Sequence, residues 1–243
     1  MQITAKLASK LKSCNSVCVL TGAGISAESG VPTFRGPEGL WSKFKPEELA
    51  NVQAFLANPA LVWEWYRYRK TLLKNVSPNP AHIALVKMEK HFKDFTLVTQ
   101  NVDNLHARAG SHKVLCLHGN IDKNYCMTCA KDFNDANLAQ TTVPKCDCGG
   151  LVRPGVVWFG ESLPTQTFEE AESAARRSQL FLCIGTSAVV YPAASLPLIA
   201  KECGSYVVEI NPEVTELSAI ADESIFEKAG VALPQLVDII PKN

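Results

Sequence analysis

Hydrophobic residues fall along the chain in two alternating rhythms. Residues 17–20, 95–99, 114–117, 180–184 and 206–211 are short runs dominated by Val, Leu, Ile and Phe, the length and composition of strands buried on both faces. Between them, apolar residues recur at helical spacing over 1–12, 47–56, 59–74, 82–92, 167–177, 192–202 and 231–240, with a shorter helix predicted over 104–110 and closed by Gly110. Residues 156–161 read as a strand with a turn. Strands alternating with helices argue for an α/β fold, a Rossmann-like, doubly wound parallel sheet. Two segments break the rhythm. The helix over 59–74 carries Leu61, Trp63, Trp65, Tyr66, Tyr68 and Leu72, and residues 121–150 hold clustered cysteines. The expected division is a sheet domain of residues 1–36, 77–120 and 151–243, with inserts 37–76 and 121–150 forming a smaller second domain.

The first apolar run opens into Thr21-Gly22-Ala23-Gly24-Ile25-Ser26. Glycines there let the main chain approach a pyrophosphate, whose charge suits the amides of a following helix start. Gly22-x-Gly24-x-x-Ala27 fits a loose dinucleotide pattern, and equally fits a plain tight turn between strand and helix. A conventional dinucleotide site places an acidic residue about 20 positions further on. The chain instead runs through Val31-Pro32-Thr33-Phe34-Arg35-Gly36-Pro37, a stretch that forbids an ordinary helix and carries an arginine.

With 24 basic and 24 acidic residues the formal net charge is zero, so no global field favours nucleic acid or an anionic membrane. No apolar run approaches the roughly 20 residues of a membrane span. Residues 1–12 lack the apolar centre of a signal peptide, and a cytoplasmic location is expected, with a trimmed organellar segment left open. Five of nine cysteines, Cys14, Cys18, Cys116, Cys183 and Cys203, are scattered in apolar surroundings and are expected as buried free thiols. The other four form Cys126-x-x-Cys129 and, after sixteen intervening residues, Cys146-x-Cys148. Two close pairs match a tetrahedral zinc site, with disulfides as the alternative. Four thiolates close the coordination sphere, so one structural zinc is expected and the chemistry must lie elsewhere.

Gln100, Asn101, Asp103, His118 and Gly185-Thr186-Ser187 all fall where predicted strands end, on the edge where open α/β sheets bind ligands. That placement makes His118 a candidate general base. His82, His91, His106 and His112 lie within or beside helices and are assigned structural roles.

Gly22-Ala23-Gly24-Ile25-Ser26 with Pro32-Thr33-Phe34-Arg35, Gln100-Asn101-Val102-Asp103, His118-Gly119, the cysteine pairs, Val157-Trp158-Phe159-Gly160-Glu161 and Gly185-Thr186-Ser187 together resemble the sirtuins, NAD-dependent protein lysine deacylases. The likeness runs through nearly the whole chain in order. It implies that Gly22, Ala23, Gly24 and Ser26 hold the pyrophosphate of NAD, and that Gly185, Thr186, Ser187, Asn211 and Ala229 take the adenosine side. Asn101, also expected as a catalytic residue, and Asp103 would hold the nicotinamide ribose and carboxamide, Gln100 would contact the cofactor, and Phe34 and Arg35 would close over it. In the family's reaction the acyl oxygen displaces nicotinamide to give an imidate, His118 activates a ribose hydroxyl, and lysine and an acyl-ADP-ribose ester are released. An acylated peptide would add as a strand between 157–160 and 188–191, touching Val157, Trp158, Phe159 and Gly160.

Within that family the sequence is most similar to the branch that removes acidic acyl groups. Tyr66 and Arg69, at i and i+3, share a helix face, and a phenol beside a guanidinium suits a carboxylate. Succinyl- and malonyl-lysine are therefore the expected substrates, with weaker action on acetyl-lysine. An amphipathic helix with a solvated arginine is the alternative. Val102, where many family members carry Ile, is expected to alter packing alone. Acylated proteins or peptides are the expected partners, with no nucleic acid and no membrane, and a monomer is expected. A deacetylase without acidic-acyl preference, protein ADP-ribosyl transfer, an NAD-linked dehydrogenase and a zinc-ribbon binding module are the competing readings.

Overall fold

In a computed structural model, residues 3–34, 39–40, 45–135, 138 and 141–241 are described. The first apolar run is strand β1 (Ser16–Thr21), in the middle of a six-stranded sheet. It pairs in parallel with β2 (Asp94–Thr99) on one side and β7 (Leu180–Ile184) on the other. The full order is β3-β2-β1-β7-β8-β9, with β3 at Val114–Cys116, β8 at Tyr206–Ile210 and β9 at Glu223–Ile225, every pairing parallel.

The continuous apolar character of β1 follows from burial on both faces. Val17 and Val19 pack with Leu7 and Leu11 of α1 (Ala5–Ser13), Leu85 and Met88 of α6 (Pro80–His91), and Leu233 and Leu236 of α10 (Ala229–Ile239). Cys18 and Leu20 point the other way, onto Ala171, Ala174 and Ala175 of α8 (Thr165–Arg177) and Leu196 and Ala200 of α9 (Leu196–Glu202). Strand order steps outward through β2 and β3 and then restarts at β7 on the far side of β1. The crevice at the carboxyl ends of β1 and β7 is thus a topological switch point, where ligands bind in such sheets.

A second, antiparallel sheet of order β5-β4-β6 is built from β4 (Gly119–Cys126), β5 (Asp132–Phe133) and β6 (Val152–Val156). It packs against α5 (Pro59–Lys74), which starts with the Asn58 side chain accepting from the Leu61 amide and Pro59 in its first turn. Trp63, Arg67 and Lys70 recur along one face of α5 and tie it to this sheet and its loops. Trp63 Nε1 donates to the Val152 carbonyl at 3.0 Å, Arg67 to the carbonyls of Thr141 and Thr142, and Lys70 to Asn124 Oδ1 at 2.9 Å and to Asp135.

Several expectations are corrected. Residues 47–56 divide into α3 (Pro46–Leu49) and α4 (Val52–Ala57), because Asn51 is extended, caps α4 through the Ala54 amide and bridges to Phe159. The strand expected at 156–161 ends at Val156, and β4, β5 and β9 had no expected counterpart. The helix expected over 192–202 begins as a 3-10 turn at Ala193–Ser195. Burial of the scattered cysteines holds for Cys18 and Cys183, while Cys14 and Cys116 are half-buried and Cys203 is exposed. Among the described residues no helix is long and apolar enough to cross a membrane.

Candidate active site

One cleft of about 1160 Å³ opens at the carboxyl edge of the large sheet and runs under the small one. The expected residues that line it are Gly22, Ala23, Gly24, Phe34, Tyr66, Arg69, Gln100, Asn101, His118, Val157, Trp158, Phe159, Gly160, Gly185, Thr186, Ser187, Asn211 and Ala229. Their assembly needs no long-range coincidence. Parallel strands β1, β2, β7 and β8 end level with one another, so the residues that follow each strand share one rim. Arg35 lies outside the described residues.

Gly22 and Gly24 meet the loop after β7 more closely than any side chain allows. A Cβ on Gly22 would lie 2.7 Å from the Gly185 carbonyl oxygen, and one on Gly24 would lie 2.7 Å from Gly185 Cα. The Gly22 amide donates to Ile184 O and the Gly24 amide to Gly185 O, which seals the two loops together. Helix α2 (Gly24–Ala27) is a single turn, and the amides of Gly22, Gly24, Ile25 and Ser26 already donate to main-chain carbonyls, so a phosphate here would meet close backbone and the Ala23 N–H rather than a long helix dipole. Gln100 Nε2 donates to Thr186 Oγ1 at 2.9 Å and Asn211 Nδ2 to Thr186 O at 3.0 Å, fixing the β7 loop from both sides.

Ser26 and Asp103 do not line the cleft. They stand one layer behind it, buried, with Ser26 Oγ donating to Asp103 Oδ2 at 2.7 Å. Asn101 Nδ2 donates to Gly22 O at 3.0 Å and to Ser26 Oγ at 3.2 Å, so this pair orients the Asn101 amide. Burial pushes the Asp103 carboxyl up, opposed by hydrogen bonds from the Leu105 amide and the Ser26 hydroxyl.

His118 follows β3 and is half-buried, its Nδ1 2.9 Å from the Gln100 carbonyl oxygen. A carbonyl only accepts, so Nδ1 carries the proton and Nε2 keeps a free lone pair. Burial lowers the His118 pKa below its ordinary value, with the Gln100 contact opposing. The ring is therefore neutral at pH 7, as a base must be.

At the other end of the cleft, Trp158 Nε1 donates to the Tyr66 hydroxyl at 2.8 Å. An indole N–H can only donate, so the Tyr66 O–H proton is free to point elsewhere. Burial raises the Tyr66 pKa, keeping that proton in place. Trp158 is itself held from behind: Arg153, 2% exposed, lies 3.5 Å from its ring centroid and forms a forked pair with Glu161, which also accepts from the Trp158 amide at 2.7 Å. Arg69 is half-buried, stacks on Phe34 with 5.0 Å to the ring centroid, and has no hydrogen bond or carboxylate partner among the described residues. Burial lowers its pKa, with Tyr66 and Asp103 opposing.

The loop 212–216 and Lys228 also line the cleft and were not anticipated. The signal was present in β8, where Glu209 interrupts an apolar strand. It is 2% exposed and accepts from the hydroxyls of Thr215, Ser218 and Ser224, which folds that loop over the rim.

Away from the cleft, the sulfurs of Cys126, Cys129, Cys146 and Cys148 all lie within 4.8 Å of one another, with three pairs at 3.5, 3.6 and 3.6 Å. A tetrahedron with Zn–S bonds of about 2.3 Å has S···S edges of about 3.8 Å, so the four thiolates fit a zinc ion that they would close completely. Gly150 is required beside them, since its Cβ would fall 2.7 Å from Cys126 Sγ.

A doubly wound sheet whose switch point carries a glycine-sealed rim and a neutral histidine, flanked by a four-thiolate module, defines a nucleotide-dependent enzyme with a structural metal site. The Sir2 family profile matches residues 22–192, and the chain belongs to that family. It is 53% identical over 227 residues to an NAD-dependent protein deacylase of Aquifex aeolicus, covering 93% of this chain and 95% of the relative. It is 47% identical over 239 residues to NAD-dependent protein deacylase 1 of Archaeoglobus fulgidus, covering 98% of each. Among solved structures, a Sir2 homologue in complex with NAD superposes with a TM-score of 0.91 at 47% identity, over 98% of this chain and 93% of the other.

Proposed function

We propose that this protein is an NAD-dependent protein lysine deacylase whose acyl pocket prefers succinyl and malonyl groups and accepts acetyl more weakly. Membership of the Sir2 family and relatives named as NAD-dependent deacylases support the activity. The observation that carries the acyl preference is Arg69, a guanidinium on the cleft wall with no carboxylate partner among the described residues, beside a Tyr66 hydroxyl with a proton to donate.

NAD, when bound, supplies the ribose carbon that accepts the acyl oxygen as nicotinamide leaves. The sealed glycine loops and Asn211 would hold its phosphates and adenosine, and Asn101 would orient its nicotinamide end. His118 Nε2 would take a proton from a ribose hydroxyl, and the Gln100 carbonyl at Nδ1 supports that tautomer. An acylated peptide would lie along 157–160. The amides of Val157, Trp158 and Phe159 are already bonded to His118 O, Glu161 and Ala50 O, which leaves Gly160 N–H to meet the peptide. Arg69 and Tyr66 would take the distal carboxylate, an arrangement that a plain acetyl group leaves unsatisfied.

Nicotinamide release from succinyl-lysine and acetyl-lysine peptides with NAD tests this. Removing a charge-assisted hydrogen bond of about 1.5–3 kcal/mol should lower succinyl kcat/KM roughly 10- to 100-fold in Arg69→Met while sparing acetyl turnover. No NAD-dependent nicotinamide release from either peptide would sink the enzyme assignment, and equal loss of both activities would sink the carboxylate role.

A further inference from the structure

Two buried histidines outside the cleft, His82 on α6 and His106 on α7 (Leu105–Ala109), are 0% and 2% exposed, with ring centroids 4.9 Å apart and planes 55° apart. Each ring has one nitrogen with a protein partner and one without among the described residues: His82 Nε2 and His106 Nδ1 are the two without. The partnered nitrogens fix which is which. His82 Nδ1 accepts from the Asn79 amide at 3.3 Å, so its proton must sit on Nε2. His106 Nε2 lies 2.9 Å from Thr21 Oγ1, and the Thr21 hydroxyl spends its own proton on Thr99 Oγ1 at 2.8 Å. His106 Nε2 must then be the donor, which leaves Nδ1 a bare acceptor. The two unpartnered atoms are therefore one donor and one acceptor, on adjacent rings. Thr99 Oγ1, at the end of this series, also accepts the backbone amide of Asn101 at 3.0 Å.

We infer that His82 and His106 are both neutral Nε2–H tautomers whose unpartnered donor and acceptor, on rings with centroids 4.9 Å apart and not bonded to each other directly, are joined across one water to complete a one-way hydrogen-bond chain. It runs Asn79 N–H to His82, to His106, to Thr21, to Thr99. Its end holds the Asn101 main chain, while Ser26 and Gly22 hold the Asn101 side chain. His106 is thus a positioning residue for the nicotinamide end of the site, acting from beneath the sheet. This rests on the placement of Asn101 at that end under the proposed function.

Nitrogen-15 NMR of the full-length protein at neutral pH reads the tautomers directly. Both rings are expected as Nε2–H, and an Nδ1–H or cationic ring at either position overturns the chain. Calorimetry with two probes then tests the consequence. His106→Leu should weaken nicotinamide binding in the ADP-ribose-loaded protein about fivefold, the effect of one lost buried hydrogen bond, and leave ADP-ribose affinity within twofold. His106→Gln, which can still donate to Thr21, should recover most of it. Equal loss for both probes, or no loss, overturns the positioning role, and if His106→Leu does not fold the tautomers decide alone. Asn101→Ala separates the two ideas: unchanged nicotinamide binding there removes the Asn101 placement, whereas loss in Asn101→Ala without loss in His106→Leu removes only the chain.

Discussion

Acid should destabilise this protein through His82 and His106 well above the pH at which carboxylates titrate. Burial lowers His82 from 6.5 to about 4, and burial with the neighbouring His82 lowers His106 from 6.5 to about 3. Both folded-state values lie below the unfolded one, so between them the unfolded chain binds more protons and stability falls as pH falls. The loss begins as pH drops through 6.5 and continues to the folded values. At pH 5 each group is about 1.5 units below its unfolded pKa, which at ~1.4 kcal/mol per unit costs ~2 kcal/mol each and ~4 kcal/mol together. That is a large share of the roughly 5–15 kcal/mol that holds a domain together. Urea unfolding at pH 7.5 and pH 5.0 measures it, with constant m-values confirming that the change is one of stability. The comparison is His82→Gln/His106→Gln, which is less stable throughout but carries no titrating ring. The native protein should lose ~4 kcal/mol more than the double variant across this interval, and parallel losses within about 1 kcal/mol would refute the reasoning.

Because burial lowers the His118 pKa, the acid limb of kcat/KM should lie below pH 6.5, and a limb at or above 6.5 would contradict the neutral-base assignment. Chelation of a zinc ion at Cys126, Cys129, Cys146 and Cys148, which their geometry fits, should unfold the small sheet, followed as a loss of protection of the β4 and β6 amides in hydrogen exchange while β1 stays protected. Lys70→Met removes the donor to Asn124 Oδ1 and leaves Asp135 paired, among the described residues, with Asn124 Nδ2 alone, and should cost about 1–3 kcal/mol in denaturant unfolding. Gly24→Ala should abolish NAD binding by calorimetry, because the added methyl meets the Gly185 backbone, which has no side-chain rotamer to give way.

The large sheet was legible because its strands are buried on both faces and so read as unbroken apolar runs, and its switch-point rim followed from where those runs stop. β4 was not: Gly-Asn-Ile-Asp-Lys-Asn-Tyr-Cys has one face on α5 and one toward solvent, and its register shifts between Gly119 and Asn124, which erases strict alternation. β9 is three residues long and gains its place only by pairing with β8. Gly22 and Gly24 were singled out for a ligand's approach, and their nearest constraint is the Gly185 backbone, a contact between segments some 160 residues apart that local pattern does not encode. His82 and His106 were set aside as structural for the same reason. Their significance lies in which nitrogen each neighbour occupies.

Helix α5 belongs to the small sheet by its Trp63, Arg67 and Lys70 face and to the cleft by Tyr66 and Arg69. On the proposed reading, the residues that would meet an acyl group are thus mounted on a different module of the fold from the glycine loops. Changing the cleft-facing positions of one helix would then re-address the enzyme to another modification without touching the glycine-sealed rim. The seam along Trp63, Arg67 and Lys70 is what allows that exchange, since it keeps the helix in register whatever its opposite face presents.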